Sequence, residues 1–236
     1  MSNLDSRRSA ALRVVQGLCG MNALFVAGNS WAAQREFDLA GKSELSIALP
    51  CTVRIEQGAV AKMVVEAEAD VLSAIALVTG VKSAQLVAHR NIRSKKPIVV
   101  KVTMPSLVRF AAEAAVNANF GSWKSANFSM LLDGSSSADF DALQTDELVV
   151  DLRGASSLVG KGTARRQTYR IDGAGNVDAR AIRGVAAQVV INGTGEVFVH
   201  ADQTLNAEIS GVGTIRYAGQ PKITKKINGV GSVEPL

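Results

Sequence analysis

The chain has 236 residues and a formal net charge of +5, and only 5% of its residues are aromatic. A chain of this length buries one substantial core or two small ones, and all-β folds of this size often form a single domain. The scarcity of aromatic side chains disfavours a core packed with rings. The basic clusters, such as His89 and Arg90 with Arg93, Lys95 and Lys96, lack the interleaved aromatic side chains that base stacking needs, which disfavours a nucleic-acid-binding protein.

The N-terminal segment, residues 1–32, has the pattern of a secretory signal peptide. Arg7, Arg8 and Arg13 precede an apolar stretch at residues 18–27, and the small residues Ser30 and Ala32 follow where a signal peptidase cleaves. The apolar stretch is shorter than the roughly 20 residues of a membrane-spanning helix, and no later segment is longer. The sequence therefore predicts an exported protein without a transmembrane span, whose mature part is one domain over residues 33–236.

Residues 33–105 form the first part of this predicted domain and are rich in β-strand patterns. Alternating or apolar runs at 52–56, 64–66, 84–88 and 98–102 predict strands, and residues 67–75 fit a short helix. We expect this part to form either the opening coils of the fold or a sheet that caps it. Cys51 is the only cysteine outside the predicted signal peptide, so no intramolecular disulfide is expected, and it is interpreted as a small packed residue.

Residues 106–236 contain a repeated segment, which is the strongest signal in the chain. Each copy begins with an aliphatic residue. The second residue is mostly Asx or Ser, the third is Gly, the fourth varies, and the fifth is Gly or Ser. The six copies are Leu132–Ser136, Leu152–Ser156, Ile171–Gly175, Ile191–Gly195, Ile209–Gly213 and Ile227–Gly231. The leading glycines recur at a nearly constant step, which becomes slightly shorter towards the C-terminus; they are Gly134, Gly154, Gly173, Gly193, Gly211 and Gly229. Such regular spacing is typical of a solenoid.

The residue types in the repeat suit a chain that turns a corner between two strands. The aliphatic side chain points inward, Asx or Ser bonds the local backbone, and glycine adopts positive φ without steric cost. When coils stack about 4.8 Å apart, equivalent aliphatic residues form a continuous core. The sequence thus predicts an all-β parallel solenoid with about six to seven glycine-rich coils. A degenerate upstream copy, with Glu113 in the glycine position about one step before Gly134, extends the pattern.

A series of β-hairpins is the alternative structure, because Asn-Gly between β-formers is a strong turn signal. A turn at Asn192–Gly193 would place Val189 opposite Glu196 and Gln188 opposite Val197. A hairpin with one buried face does not pair apolar with polar residues in this way, so the solenoid is favoured.

These segments resemble the head GIN domain family, which is described as auto-transporter adhesins. The resemblance lies in the repeated Ile-Asx/Ser-Gly-x-Gly units, in residues 53–58 followed by 64–67, and in residues 102–107. It implies a right-handed parallel β-helix in an exported bacterial protein, located in the periplasm or on the cell surface, with no established activity. The chain departs from the family pattern at Glu113 and at Arg153.

No constellation of residues in the sequence defines a reaction mechanism, so we expect a non-enzymatic protein that needs no cofactor. The candidate binding residues are Asp139, Asp141 and Asp151, since clustered carboxylates on a β-helix could bind Ca²⁺ or serve a carbohydrate-active site. For Asp133 and Asp172 we favour a role in the corner turns. His89 and His200 lack partners at zinc-ligand spacing, and both are expected at the surface.

Two functional hypotheses follow. The first is an adhesin-like or structural envelope protein whose stacked strands present a flat face. Its partners would be a second copy of the chain, bound through an open C-terminal edge, or envelope components or glycans. The alternative is a carbohydrate-binding or carbohydrate-active β-helix that uses an acidic face. Neither hypothesis involves nucleic acid.

Overall fold

The computed structural model of the protein describes residues 24–25 and 33–236. The predicted signal peptide, residues 1–32, lies outside the described residues except for a short strand at Leu24–Phe25. Its role in export stays a prediction.

The described part of the chain contains one short helix and seventeen strands. The first strands are β1 (Leu24–Phe25), β2 (Ala33–Asp38), β3 (Glu44–Ala48), β4 (Cys51–Gln57), β5 (Lys62–Ala67), β6 (Ile75–Thr79), β7 (Ser83–Ala88), β8 (Val99–Met104) and β9 (Arg109–Ala112), and helix α1 (Ala69–Ala74) lies between β5 and β6. The later strands are β10 (Val116–Leu132), β11 (Ser137–Arg183), β12 (Ala186–Ile191), β13 (Thr194–His200), β14 (Thr204–Ile209), β15 (Val212–Ala218), β16 (Lys222–Ile227) and β17 (Val230–Pro235). The four predicted N-terminal strands and the short helix are present.

Parallel pairing of successive coils builds a β-solenoid of about six turns, which confirms the predicted fold class. Asn117 pairs with Ser137, and near the other end Val212 pairs with Val230, so the coils become slightly shorter along the chain, as the spacing of the glycines does. All the pairings that the structure describes between strands from β10 to β17 are parallel, so the hairpin alternative is wrong. The strands β10 and β11 are long because the chain keeps its ladder hydrogen bonds around the corners of the coil.

Each repeated corner joins two faces of the solenoid. Face A precedes the corner and contains β7, β3 and β9, residues 129–132 and 149–152, and then β12, β14 and β16. Face B follows the corner and contains β8 and β4, residues 117–120 and 137–140, and then β13, β15 and β17. A third, less regular side closes each coil.

The first strands combine both arrangements expected for residues 33–105. Strands β3, β4, β7 and β8 pair in parallel as opening coils. On face B, β5 pairs antiparallel with β8 and β2 with β5, and on face A β6 pairs antiparallel with β7. Helix α1 buries Val71, Leu72 and Ala74 beside them. The antiparallel strands and the helix thus cap the N-terminal end of the stack.

The core is one continuous cluster that follows the inward columns of the coils. In its middle the aromatic rings of Phe110, Phe120, Phe128, Phe140 and Trp123 pack together, and the Phe120 and Phe140 rings stack with centroids 4.6 Å apart. Toward the C-terminal end the columns contain mainly Val, Ile and Ala, such as Val189 over Ala207. The coils narrow in that direction, which matches the shorter spacing of the last repeats.

The leading glycines stack directly over one another, but positive φ explains only two of them. Gly134 (φ +74°) and Gly154 (φ +72°) have that conformation, and the other four do not. At Gly211 an added Cβ would lie well inside 3.0 Å of the carbonyl oxygen of Gly193 in the preceding coil. Close approach of two backbones, and not the predicted turn conformation, therefore requires glycine at most of these corners.

The upstream degenerate repeat is shifted by one position from its predicted register. Leu132 pairs with Ala112, and the Asp133 amide donates to the Ala112 carbonyl at 2.8 Å. Gly134 consequently lies over Ala114, not over Glu113. The expectation for Glu113 was wrong because this copy contains no glycine. Only the spacing of the other copies could be used to align it, and that spacing varies by a residue or two. Glu113 instead accepts a hydrogen bond from Ser46 at 2.6 Å.

Strands β16 and β17 form an open edge at the C-terminal end of the described chain. All the side chains of β16 are exposed, and those of β17 are exposed or half-buried; Ile223 and Ile227 are 37% exposed and Val230 is 72% exposed. Lys225 pairs with Ala207 and so occupies an inward column whose earlier members are buried. A charged residue in an apolar column disfavours the stacking of a further coil on this edge.

Candidate functional site

A groove follows the repeated corner on its face B side, and we call it the corner groove. Its floor is the last position of the repeat, which is Ser136, Ser156 and then four glycines. One wall is the variable position of the repeat, and the other is the first outward column of face B. That column contains Thr52, Asn117, Ser137, Ser157, Asn176, Glu196, Thr214 and Ser232. Apart from the carboxylate of Glu196, hydroxyl and amide groups therefore recur along the groove at about the 4.8 Å spacing of the coils.

The floor of the groove stays low because its members have small or inward-bonded side chains. The Ser136 hydroxyl donates to the Ala114 carbonyl, and the Ser156 hydroxyl donates to the Arg153 carbonyl at 3.0 Å. Gly175 replaces serine in the next coil, where an added Cβ would come within 3.4 Å of Ile171 and Leu152 side chains. Large side chains are thus excluded from the floor by the packing of the corner.

A cavity of about 720 Å³ lies at the N-terminal end of the corner groove. The residues of its polar lining are Thr52, Ser94, Asn117, Ser135 and Ser137, its basic lining residues are Arg93, Lys95 and Lys96, and its apolar lining comes from Pro50, Cys51, Ile92, Pro97, Ile98, Ala115 and Val116. No carboxylate lines it. We call this space the loop cavity, because residues 92–98 form its outer wall.

The wall of the loop cavity is held in place by hydrogen bonds at its base. The Glu68 carboxylate accepts from the Ser94 hydroxyl and from the Lys95 amide, both at 3.2 Å. The Ser94 hydroxyl also donates to the Lys96 carbonyl at 2.6 Å. These bonds use the main chain of Lys95, so its ammonium group stays available on the exposed side of the loop.

A second cavity, of about 490 Å³, lies over the same corner at the C-terminal end of the solenoid. Its lining includes the variable positions Thr194, Val212 and Val230 and the face B positions Thr214 and Ser232. Glu196 also lines this cavity, and no basic residue does. The two cavities therefore lie over the same repeated corner, one near each end of the solenoid.

A third depression, of about 530 Å³, lies on the irregular side of the coil and differs in its charges. It is lined by Lys124, Arg165 and Arg183 but also by Asp146 and Asp202. Because both signs are present, this depression has no clear preference for a charged ligand.

The three candidate carboxylates do not lie together. Asp139 lies in an outward column of face B with Asn119 and Arg54, one pleat from the corner groove, and the exposed Asp141 follows it along the same strand. Asp151 lies on face A, where its carboxylate is 3.4 Å from the Arg170 guanidinium. Asp139 and Asp141 are thus neighbours, and Asp151 belongs to a different surface.

Of the two remaining acidic candidates, Asp133 has the turn role favoured from the sequence, whereas Asp172 bonds a side chain in the next coil. The Asp133 carboxylate accepts from the Gly134 amide at 2.7 Å, which is a local turn bond. Asp172 accepts from the side-chain amide of Asn192 in the next coil, also at 2.7 Å. Within residues 33–236 no group of three His, Cys, Asp or Glu side chains could hold a metal ion.

The buried polar and sulfur groups have structural surroundings. Burial raises the pKa of the Cys51 thiol to about 12, so it stays protonated at neutral pH. Tyr169 is fully buried, and its hydroxyl donates to the Gln167 side chain at 2.7 Å. His89 is exposed as expected, whereas His200 is half-buried, with Nε2 3.7 Å from an Asp202 carboxylate oxygen. Sequence reasoning missed the burial of His200, which is the last residue of β13 and pairs with Ala218 in the next coil.

No helix among the described residues is long and apolar enough to cross a membrane.

Comparison with solved structures shows the same fold in bacterial proteins. A protein from Bacteroides fragilis described as a putative adhesin superimposes with a TM-score of 0.82 at 18% identity, covering 87% of this chain and 97% of that one. A protein from Parabacteroides distasonis described as a putative lipid binding protein has a TM-score of 0.70 at 20% identity, covering 89% and 98%. A putative adhesin from Parabacteroides merdae has a TM-score of 0.64 at 18% identity, also covering 89% and 98%. A comparison with curated proteins found no match.

A family model described as "Putative auto-transporter adhesin, head GIN domain" matches residues 43–221, which is more than half of the chain. The matched range includes the lining of the loop cavity and that of the second cavity apart from Val230, Gly231 and Ser232. The match confirms the resemblance that the repeated corners indicate. The chain belongs to this head GIN domain family.

Proposed function

We propose that the protein is an exported, non-enzymatic, adhesin-like surface protein that holds an extended polysaccharide along the corner groove. The observation that carries the proposal is the column of hydroxyl and amide side chains beside the groove, with a cavity at each end. A polymer that carries hydroxyl groups at regular intervals meets such a column repeatedly, and many weak contacts then add along its length. Export rests on the signal-peptide pattern of residues 1–32.

The shape of the groove favours a chain-like ligand over a compact one. The groove is open along its length, and its floor consists of serine and glycine residues that cannot enclose a small molecule. The one tryptophan of the predicted mature chain, Trp123, is buried in the aromatic core. Recognition would therefore depend on hydrogen bonds more than on the stacking of sugar rings.

A pair of threonine substitutions tests the proposal. Thr214→Trp places a bulky ring in the corner groove from an outward position of face B, and Thr224→Trp places the same ring on face A of the neighbouring coil. On a glycan array we expect the wild-type protein to bind and Thr214→Trp to lose at least tenfold in affinity. Thr224→Trp should keep wild-type binding. Absence of glycan binding by the wild type, or an equal loss in both variants, would contradict the proposal.

A carbohydrate-active role for the acidic residues is a second candidate, favoured by the position of Asp139 one pleat from the corner groove and by the neighbouring Asp141. In this case the groove would present the sugar chain to the two carboxylates. Release of reducing ends from a bound glycan, lost on Asp139→Ala or Asp141→Ala, would establish it. The same array with and without Ca²⁺ separates a metal-dependent binder from a metal-independent one.

A further inference from the structure

We infer that the loop cavity binds an acidic sugar chain, one that carries carboxylate or sulfate groups. This inference rests on the proposed function and adds to it the ligand class and the residues that select it. The charges of the residues that line the cavity support the inference. Three of the lining side chains are basic and none is acidic, although the described chain as a whole carries both signs in similar numbers.

Two of the three basic side chains are uncompensated. Neither Arg93 nor Lys95 forms an ion pair with any residue in the part of the chain that the structure describes, and both are exposed. Some basic side chains on the sheet faces are matched, since Lys101 lies 2.7 Å from Glu66 and Lys226 lies 2.7 Å from Glu208. Other exposed basic side chains, such as Arg153 and Lys161, have no ion pair among the described residues, but they do not line this cavity. The mouth of this cavity therefore has two positive charges that no carboxylate of the described residues pairs with.

The loop that carries these charges is positioned before any ligand arrives. Glu68 holds residues 94 and 95 from behind and is not among the residues that line the cavity. Ser94 closes the turn by bonding to the Lys96 carbonyl. Because the loop is already ordered by these bonds, binding an anion there requires less loss of conformational freedom than ordering a mobile segment would.

The uncharged lining completes a site for a sugar, not for an isolated anion. Thr52, Asn117 and Ser137 lie side by side at the cavity and are aligned by the strand register. Their hydroxyl and amide groups can donate and accept, as the alcohol groups of a sugar require. Arg93 and Lys95 on the opposite wall would bind its carboxylate or sulfate through charge-assisted hydrogen bonds.

An anionic membrane surface is the main competing partner for such a patch. The cavity lies between the loop and the coil corners, and its polar lining includes Thr52, Asn117 and Ser137, whose groups match the alcohol groups of a sugar. Membrane-binding patches also use more basic residues, because each contributes only about 1 kcal/mol near a charged surface. The polar lining and the small number of basic residues therefore favour the sugar chain.

The test compares two double variants that remove equal charge. Arg93→Ala/Lys95→Ala removes the wall, and Arg153→Ala/Lys161→Ala removes two exposed basic side chains elsewhere on the solenoid. The probes are an oligogalacturonate, a heparin-derived oligosaccharide and a dextran of similar length, each measured by calorimetry with the full chain. We expect the wall variant to bind one of the two acidic probes at least tenfold more weakly, the control to stay within about twofold, and Arg93→Lys/Lys95→Arg to keep most of the affinity.

The outcomes separate this inference from the proposed function. An equal loss in both double variants would show non-specific attraction and overturn the inference, as would wild-type binding of dextran as tight as that of the acidic probes. Binding to vesicles of anionic lipid, with no binding to either acidic oligosaccharide, would overturn it in favour of a membrane. If Thr214→Trp abolishes glycan binding while the wall variant has no effect, the groove function stands and the acidic specificity falls.

Discussion

Replacement of Gly211 by alanine should destabilise the solenoid although the backbone at this position does not have positive φ. The added Cβ would press on the Gly193 carbonyl oxygen, which accepts the ladder hydrogen bond from the Val212 amide at 2.9 Å. Neither partner is the flexible end of a side chain, so the backbone of one coil must move. The variant tests whether close contact between coils fixes glycine at the corners.

The magnitude follows from three contributions. Forced expansion of a packed contact costs about 1–3 kcal/mol, and weakening the ladder hydrogen bond at Gly193 costs about 1 kcal/mol. Alanine restricts the unfolded chain and returns about 0.4–1 kcal/mol. The net loss in the free energy of unfolding is therefore about 1–3.5 kcal/mol.

Gly41→Ala is the matched control. Gly41 has φ +73°, but no atom lies within 4 Å of its added Cβ. The control therefore has only the cost of the left-handed conformation, about 1–2 kcal/mol, and regains part of it through the unfolded state. Urea denaturation followed by circular dichroism should give a lower midpoint for Gly211→Ala than for Gly41→Ala. A Gly211→Ala variant with the wild-type midpoint, or one more stable than Gly41→Ala, would refute the role of close backbone contact.

Three further predictions concern buried groups and the open edge. Tyr169→Phe leaves the buried Gln167 carbonyl oxygen without its donor and should lower the free energy of unfolding by about 1–3 kcal/mol, measured by urea denaturation; no change would mean that the bond contributes nothing. The pKa of Cys51 is about 12 in the folded protein and 9.0 ordinarily, so its thiolate fraction at pH 8 is about a thousandfold lower than in the unfolded chain. Ellman's reagent should therefore react far faster with this thiol after unfolding. Since the folded pKa is the higher one, the stability linked to this thiol is complete below pH 9 and is lost as the pH rises towards 12. Lys225→Val removes the charge from an inward column of the open edge and should increase self-association in sedimentation velocity; a variant no more associated than the wild type would show that Lys225 does not protect this edge.

Self-association of the unmodified protein through the same edge, expected from the sequence, stays a prediction. The position of Lys225 acts against it, because a second stacked coil would bury an ammonium group without a partner. Sedimentation of the wild type at high concentration measures the balance between the exposed apolar residues Ile223 and Val230 and this charge.

The repeat period was enough to predict the solenoid, because stacking in register forces equivalent residues to recur at nearly constant steps. The six corner segments, the parallel pairing and the strands around Val53 and Val100 all follow from this constraint and from local alternation. The N-terminal cap was less predictable. Whether a short β pattern such as residues 75–79 pairs parallel or antiparallel depends on its partner strand and not on its own residues.

The candidate site residues were also predictable only in part. The sequence could identify clusters of like residues, such as Asp139, Asp141 and Asp151 or the basic segment around Arg93. It could not show that Asp151 faces away from the other two carboxylates, since neighbours on a solenoid are set by the coil and not by distance along the chain. The loop cavity arises where residues 92–98 meet corners that belong to one earlier and two later segments of the chain.

By itself the sequence determined the repeating unit: the period, the aliphatic core column, the Asx or serine turn residues and the glycine positions. Only the tertiary structure decided why most of those glycines are required, which faces the charges occupy, and how the chain caps one end and leaves the other edge open. The physical reason is that a periodic pattern encodes contacts between equivalent residues in adjacent coils, where each copy predicts the next. Contacts between unlike segments have no such repetition and become visible only when the chain is folded.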